Sequence, residues 1–383
     1  MTRTSFVLAC LIAAAAPAAA QVRIDNGKVT RHDGAAGLER TFRPLVKSAG
    51  RGAGAPGISD EPFWIAYAVP VVDGDRVMCC WRSDGGNTWV DGGVVFRKSG
   101  DACCGACGLE PGRDDGTAIT RSAAAAPVRL ETSRFSVFYR IVSGAIERVR
   151  VFSEECAIDA GGRSVHWIDD VKPAESVALL MTVVPAPPST ETRRDRVVDG
   201  AITAIALHGD PAADAALDTL AGRDRPDHIR KKAAFWMGQA RGRRGFETLR
   251  RLVADDPSIA FRKSAVFALS QSSDAEAIPT IIELAKRDPS AAIRGEALFW
   301  LAQKAGRKAA ETITEAIEKD PETDVKKRAV FALSQLPKDE GVPLLINIAR
   351  TNRNPVVRKQ AMFWLGQSRD ARALAFFEEI LRN

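Results

Sequence analysis

The sequence is poor in the residues and motifs from which enzyme sites are commonly built. It has four histidines in 383 residues, and no two have the spacing of a zinc-binding pair. It also lacks a Gly-x-Ser-x-Gly elbow, a phosphate-binding loop and a Gly-x-Gly-x-x-Gly motif. These absences remove the positive evidence for an enzyme, and we predict a protein without catalytic residues, cofactor or metal site. The histidines are His32, His166, His208 and His228.

Long hydrophobic runs are also scarce. Beyond the first twenty residues, no segment approaches the ~18 uninterrupted apolar residues of a membrane span, so none is expected. Residues 1–20 combine Arg3, an apolar run from Phe6 to Ala16 and the small residues Ala18-Ala19-Ala20, as a signal peptide does. We therefore expect an exported protein, periplasmic or secreted. Lipoprotein cleavage before Cys10 would cut into the apolar run.

An excess of charge is lacking as well. The 54 basic and 48 acidic residues give a net charge of +6, spread along the chain. Such a balance differs from the concentrated basic face of a nucleic-acid binder, and we expect no nucleic-acid partner.

Cysteine is confined to the N-terminal half of the chain. An even number of cysteines in an exported chain favours disulfides, although six cysteines allow fifteen pairings. The spacing between Cys104 and Cys107 also fits a zinc knuckle or a redox pair, which are the alternatives. The six candidates beyond the signal peptide are Cys79, Cys80, Cys103, Cys104, Cys107 and Cys156.

Residues 21–184 are predicted to form a β-rich, disulfide-bonded domain. Short β-rich runs lie at 63–72, 76–81 and 92–96, and residues 134–142 and 145–152 alternate around Ser143-Gly144 as in a hairpin. Residues 177–184 fit either a strand or a short helix. Asp84 to Trp89 resembles an Asp-box turn and predicts a hairpin tip. The Pro-rich residues 185–192 are predicted to form a linker.

The C-terminal half repeats every 32 residues. The clearest column is Ala233, Ala265, Ala297, Ala329 and Ala361. Each unit has an alanine-rich first helix, a polar turn and a second helix with apolar residues three apart, and Asp-Pro ends several second helices. A period of this length indicates stacked helical pairs. We predict an α-solenoid over residues 193–383, with one degenerate and five full repeats.

The first helices resemble bacterial HEAT-like repeats. The pattern of these repeats starts with a branched apolar residue and Arg, continues with two variable residues and Ala-Ala, and ends with a later Leu-Gly. In the first full unit it is matched by Ile229, Arg230, Ala233, Ala234 and Gly238. The resemblance implies a right-handed α-solenoid that binds other macromolecules. With the β-rich region before it, the chain is predicted to be an α+β two-domain protein. Some proteins with such repeats are phycobilin lyases, but the absence of cysteine from these repeats argues against that activity.

One column departs from the resemblance, because every first helix carries a phenylalanine on the side away from the core. Three interpretations stay open: a partner-binding ridge, packing across the neighbouring first helix, or docking onto the N-terminal domain. The ridge comprises Phe235, Phe267, Phe299, Phe331 and Phe363, flanked by Lys231, Lys263, Lys327 and Lys359 and by Gln239, Gln271, Gln303, Gln335 and Gln367, with Gly295 as the exception in the lysine column.

Two other columns are predicted to be structural. Trp236, Trp300 and Trp364 alternate with alanines at the next position, and a helical wheel points them toward the core. The column of Arg230, Arg262, Arg294, Lys326 and Arg358 is expected to pair with Asp256, Asp288 and Asp320 in the loops between units.

The sequence thus predicts a non-catalytic protein-interaction or scaffold protein of the bacterial envelope that binds a protein or peptide on the solenoid. The alternative is an enzyme or ligand-binding activity in the N-terminal domain, with the repeats as scaffold.

Overall fold

The computed structural model describes residues 22–48, 61–73, 77–80, 94–97, 107–110, 133–154, 157–184, 192–305 and 307–382. The predicted signal peptide lies outside these residues, as does all but the last residue of the predicted linker. Within the described part of the chain, no helix is long and apolar enough to cross a bilayer.

Ten strands lie before residue 170 in the described part of the chain. They form a five-stranded mixed sheet in the order β2-β10-β3-β7-β8 and smaller sheets β1-β9-β6 and β4-β5. The strands are β1 (Ile24–Asp25), β2 (Val29–Asp33), β3 (Phe63–Pro70), β4 (Val77–Cys80), β5 (Val94–Arg97), β6 (Cys107–Gly108), β7 (Arg134–Val142), β8 (Ala145–Ser153), β9 (Ile158–Asp159) and β10 (Val165–Asp169).

The predicted hairpin is present as β7 and β8, which pair antiparallel. Ser143 and Gly144 connect them with φ angles of 48° and 74°. Positive φ at both central residues gives a tight turn whose twist matches the flanking strands. The strands on either side of the predicted Asp-box tip, β4 and β5, also pair antiparallel, while the tip itself lies outside the described residues.

Two helices precede the repeats, α1 (Leu38–Ser48) and α2 (Pro173–Val183). The ambiguous segment 177–184 belongs to α2, which starts with Pro173 in its first turn, where the missing N–H of proline costs nothing. Leu38, Phe42 and Val177 pack on one face of the large sheet, and Trp64, Phe138 and Trp167 form a second core on the opposite face.

Twelve helices within the described residues 192–382 form six consecutive pairs. The first helix of each pair is α3 (Thr192–Leu207), α5 (Asp227–Ala240), α7 (Ile259–Gln271), α9 (Ala291–Lys304), α11 (Thr323–Ser334) or α13 (Pro355–Ser368). The second is α4 (Ala212–Leu220), α6 (Gly242–Asp255), α8 (Ala277–Arg287), α10 (Arg307–Lys319), α12 (Lys338–Thr351) or α14 (Ala371–Arg382).

The degenerate repeat packs directly on the sheet. A Cβ at Gly200 of α3 would lie 2.2 Å from the carbonyl oxygen of Val149 in β8. The amide of Val72 donates to the Leu207 carbonyl, and the amide of Gly209 donates to the Pro70 carbonyl. One hydrophobic cluster therefore runs from the sheet through α3 into the repeats.

A buried polar network holds this junction together. The two tyrosines of the protein, Tyr67 and Tyr139, share a hydrogen bond of 2.7 Å, and Tyr67 is 2.7 Å from the Ser176 hydroxyl. Ser176 Oγ is 2.8 Å from Nε2 of His208, whose Nδ1 is 2.7 Å from the Ala204 carbonyl. All four side chains are fully buried.

The network requires a neutral His208. A carbonyl only accepts, so Nδ1 carries the proton and Nε2 accepts from Ser176. Each hydroxyl then donates to its neighbour in turn, from Tyr139 through Tyr67 to Ser176. Burial lowers the pKa of His208 to about 4, in keeping with this arrangement. A serine–histidine hydrogen bond with no accessible surface cannot meet a substrate, so the network is structural.

We predict that His208 makes the free energy of unfolding depend on pH. The unfolded chain protonates this side chain near its ordinary pKa of 6.5, whereas the folded protein does so near pH 4. Stability is therefore complete above pH 6.5 and falls as the pH drops toward 4, by about 3 kcal/mol in total. Urea unfolding across this window should show a shallower pH dependence for His208→Asn than for the parent.

The exposed His228 supplies the control. The variant His228→Asn should keep the pH dependence of the parent, including the part that comes from the half-buried His166, whose pKa is also lowered by burial. A parent-like slope in His208→Asn would show that the network tolerates a charged imidazole.

A matched pair of glycines tests how closely the units pack. Gly238 and Gly366 occupy the same repeat position. A Cβ at Gly238 would lie 2.0 Å from the Ala268 carbonyl oxygen, whereas a Cβ at Gly366 would have no described atom within 4 Å beyond its chain neighbours and its own helix backbone. We expect Gly238→Ala to lower the free energy of unfolding by about 3 kcal/mol, because the next helix must move. Gly366→Ala should raise it by about 0.5–1 kcal/mol, the helix propensity gain. Equal effects in thermal melts would contradict the packing.

Candidate partner-binding site on the first helices

The first helices of successive units pack against each other more closely than the second helices do. The alanine column makes this possible, since Ala233, Ala265, Ala297, Ala329 and Ala361 have no exposed surface. Closer spacing on one side curves a stack toward that side. The first helices therefore line the inner surface of the array, where solenoids generally bind their partners.

An aromatic ladder runs along this surface. The rings contact each other from one unit to the next with centroid separations between 4.5 and 5.9 Å. The aromatic ladder consists of Phe235, Trp236, Phe267, Phe299, Trp300, Phe331, Phe363 and Trp364.

The contacts of the ladder alternate. Phe235 stacks on Phe267 with an interplanar angle of 18°, and Phe299 stacks on Phe331 at 6°. At the two intervening boundaries, a tryptophan takes the place of the second phenylalanine: Trp300 meets Phe267, and Trp364 meets Phe331 in the same way. The alternation of tryptophan and alanine thus gives the ladder a period of two units.

Two of the three tryptophans are less buried than predicted, although both pack against the hydrophobic core. Trp236 is buried, 5% exposed, as expected. Trp300 and Trp364 are half-buried, and each stacks on a ladder phenylalanine of the preceding unit. A helical wheel represents one isolated helix, so it could not show the aromatic ring that the neighbouring helix places against each tryptophan. Trp300 Nε1 donates to Glu296 at 2.9 Å, a polar contact that a core position would not offer.

The ladder phenylalanines are neither fully buried nor free. Phe235, Phe267, Phe299 and Phe331 are half-buried, each by the stacking ring of an adjacent unit, and Phe363 is 53% exposed. Packing across the neighbouring first helix is thus observed, and it leaves part of every ring facing outward. The rings form a continuous apolar strip and not five separate side chains.

The polar columns lie one helical turn before and after the ladder phenylalanines in the same repeat units. Gln303, Gln335 and Gln367 are exposed, whereas Gln239 and Gln271 are half-buried. Lys231 lies 3.6 Å from Asp227 and Lys327 lies 3.1 Å from Asp324. Lys263 is half-buried and Lys359 is exposed.

The arginine column pairs with aspartates as expected. Arg230 donates a hydrogen bond to Asp256, and Arg262 donates one to Asp288. Arg294 donates two hydrogen bonds of 2.7 and 3.0 Å to Asp320. Each aspartate also accepts the backbone N–H two residues on, which shapes the turn into the next first helix. These pairs are buried and thus structural. At the next boundary Asn352 takes the place of aspartate, and Lys326 donates to the Glu318 carbonyl.

The cysteine predictions lie largely outside the described structure. Cys103, Cys104 and Cys156 fall outside the described residues. Cys79 and Cys80 lie in β4 and Cys107 in β6, strands whose side chains at these positions are not described. Disulfide formation stays a prediction.

Comparison with known proteins bears on the repeats. A family model of HEAT repeats matches residues 219–302 and 310–383. The C-terminal segment contains HEAT repeats. No curated protein matches the chain.

Solved structures with low similarity include two proteins. Human deoxyhypusine hydroxylase in complex with glycerol is 18% identical with a TM-score of 0.28, over 54% of this chain and 90% of its own. The complex of CpcE and CpcF of phycocyanin lyase from Nostoc sp. PCC7120 is 22% identical with a TM-score of 0.31, over 40% of this chain and 99% of its own.

The Arg–Asp pairs of the HEAT array yield a stability prediction. Arg262→Met leaves the carboxylate of Asp288 buried without its partner and should cost about 3–5 kcal/mol in urea unfolding. Asp288→Asn keeps an acceptor for the turn and for Arg262, and should cost less. The double variant should be less destabilised than the sum of the two. Strict additivity would show that the two side chains do not stabilise each other.

Proposed function

We propose that this chain is a non-catalytic interaction protein whose HEAT array binds a polypeptide partner along the aromatic ladder. The observation that carries the proposal is the ladder itself, an apolar strip that runs over five units and keeps part of every ring accessible except that of the buried Trp236. Aromatic surface flanked by polar side chains is typical of protein-binding sites.

The glutamine column adds the capacity to recognise a main chain. A glutamine amide both donates and accepts hydrogen bonds, so one residue can satisfy a backbone N–H and C=O of a bound segment. Gln303, Gln335 and Gln367 are exposed beside the ladder and recur once per unit. A regular column of amides beside an apolar strip suits an extended polypeptide better than a compact small molecule.

The N-terminal domain has a different role in this proposal. Its sheet packs on α3, at one end of the array, and fixes the array through the buried network around His208. We propose that the domain anchors the array, and that the whole protein works after export as a periplasmic or secreted scaffold.

A selection experiment tests the proposed function. Random peptides of about twelve residues, displayed on phage, are selected on the immobilised full chain. The affinities of the selected peptides are then measured in solution. We expect the triple variant Gln303→Ala, Gln335→Ala and Gln367→Ala to lower the affinity for these peptides about tenfold or more. Exposed side chains should be removable without loss of the fold, which circular dichroism checks.

The second helices supply the matched control. The triple variant Thr280→Ala, Thr314→Ala and Asn347→Ala removes uncharged polar side chains from α8, α10 and α12. This variant should bind the selected peptides like the parent. If the selected peptides are indifferent to the glutamine variant, or are weakened by the control instead, the ladder is not the binding surface.

A further inference from the structure

The charges of the HEAT array are distributed unevenly between its two sides. The five first helices α5, α7, α9, α11 and α13 hold twelve lysines and arginines but three carboxylates. The five second helices hold thirteen lysines and arginines and ten carboxylates. The basic excess therefore lies on the side of the ladder, although the protein as a whole is nearly balanced.

Internal pairing does not account for this excess. Arg230, Arg262 and Arg294 are neutralised by the buried aspartates between units. Two of the three carboxylates on the first helices are also engaged, because Asp227 contacts Lys231 and Asp324 contacts Lys327.

Four cations beside the ladder have no carboxylate partner among the described residues. Lys263, Arg328 and Lys359 form no ion pair with any residue that the structure describes, and Lys304 donates to the amide oxygen of Gln271 at 3.2 Å. Together they cover the array from the second full unit to the fifth. The second helices also carry cations without an ion pair to a described residue, such as Arg251 and Lys338, but they hold ten carboxylates, and some of these form cross-helix pairs such as Lys286–Glu315 and Arg350–Glu379.

Arg328 also fills the gap in the lysine column. The third unit has Gly295 where the other four units have lysine, and the side chain of Arg328 from the following unit lies over this glycine. A Cβ at Gly295 would be 2.4 Å from Cδ of Arg328 and 3.3 Å from its Nη1. The missing lysine is thus replaced in space by an arginine, and the row of cations along the ladder is continuous.

From these observations we infer that the ladder binds an extended acidic segment of a protein partner. The inference rests on the proposed function and adds the chemistry of the partner: apolar side chains of the segment lie on the rings, and its carboxylates meet the four unpartnered cations. First helices packed at about 8–10 Å place five of them over roughly 32–40 Å. An extended chain covers that length with about 9–12 residues.

The geometry favours a polypeptide over a nucleic acid. Bases bind single-strand sites by stacking on free aromatic faces. The faces of the ladder rings already stack on one another. The ring surface that stays accessible forms a strip along the array. The exposed glutamines match peptide groups, and the cations are spaced one or two to a unit.

Fluorescence anisotropy on the full chain tests the inference. The probe is a labelled peptide of about twelve residues that alternates Glu with Leu and Gly, and the two matched probes carry Gln or Lys in place of Glu. The acidic peptide should bind about tenfold or more tightly than the Gln peptide at low salt, and the difference should shrink with added salt.

Two charge-matched variants locate the interaction. The variant Lys263→Gln, Lys304→Gln, Arg328→Gln and Lys359→Gln should lose about tenfold or more in affinity for the acidic peptide and leave the Gln peptide unaffected. The control Arg251→Gln, Arg287→Gln, Lys319→Gln and Lys338→Gln removes the same charge from exposed positions on the second helices. It should stay close to the parent.

Several results would overturn the acidic partner. These are equal weakening by both variants, equal affinity for all three peptides, binding to none of them, or tighter binding of a twelve-nucleotide oligothymidylate. If the Gln or Lys peptide binds as tightly as the acidic peptide or more tightly, and this binding is lost in the triple glutamine variant, the proposed function stands and the acidic chemistry fails. The phage selection decides the proposed function independently of these probes.

Discussion

The close contact between successive first helices is the constraint on which the rest of the array depends. It exists because every unit places an alanine without exposed surface at the same position, and because Gly238 lets the Ala268 carbonyl approach. At this distance, the ring of one unit reaches the ring of the next. The same approach brings Arg230, Arg262 and Arg294 within reach of the aspartates in the following loops. Packing, ladder and ion pairs are thus consequences of one spacing.

The N-terminal domain extends this core and closes one end of it. The helix α3 packs on β8 as later first helices pack on each other, with Gly200 meeting the Val149 carbonyl. The hydroxyl chain from Tyr139 to His208 then fixes the sheet, α2 and α3 in one arrangement, because each member has one donor and one acceptor to satisfy. A buried network of this kind specifies geometry more than it adds stability, which suits a junction that must hold an array in one orientation.

The periodic columns of the sequence predicted the repeated features of the array. Features that depend on contacts between residues far apart in the chain could not be predicted. The 32-residue period, the helical pairs and the Arg–Asp pairs follow from columns that can be read in the sequence. The outward stacking of Trp300 could not be read there, because its partner Phe267 belongs to another helix. The network around His208 joins residues from four separate elements, and no local pattern marks them. For the segment 177–184, the deciding signal was Pro173, just outside the ambiguous stretch.

The second helices show that the fold does not require the charge imbalance. They belong to the same units and carry a similar number of cations, yet their carboxylates nearly match them in number and form pairs across helices. The three cations that the fold does need on the first helices, Arg230, Arg262 and Arg294, already have their partners. Lys263, Arg328 and Lys359 form no ion pair with a described residue, and like charges along one surface repel each other weakly. A feature that folding does not explain, confined to the surface where an aromatic strip lies, is best explained by what that surface binds.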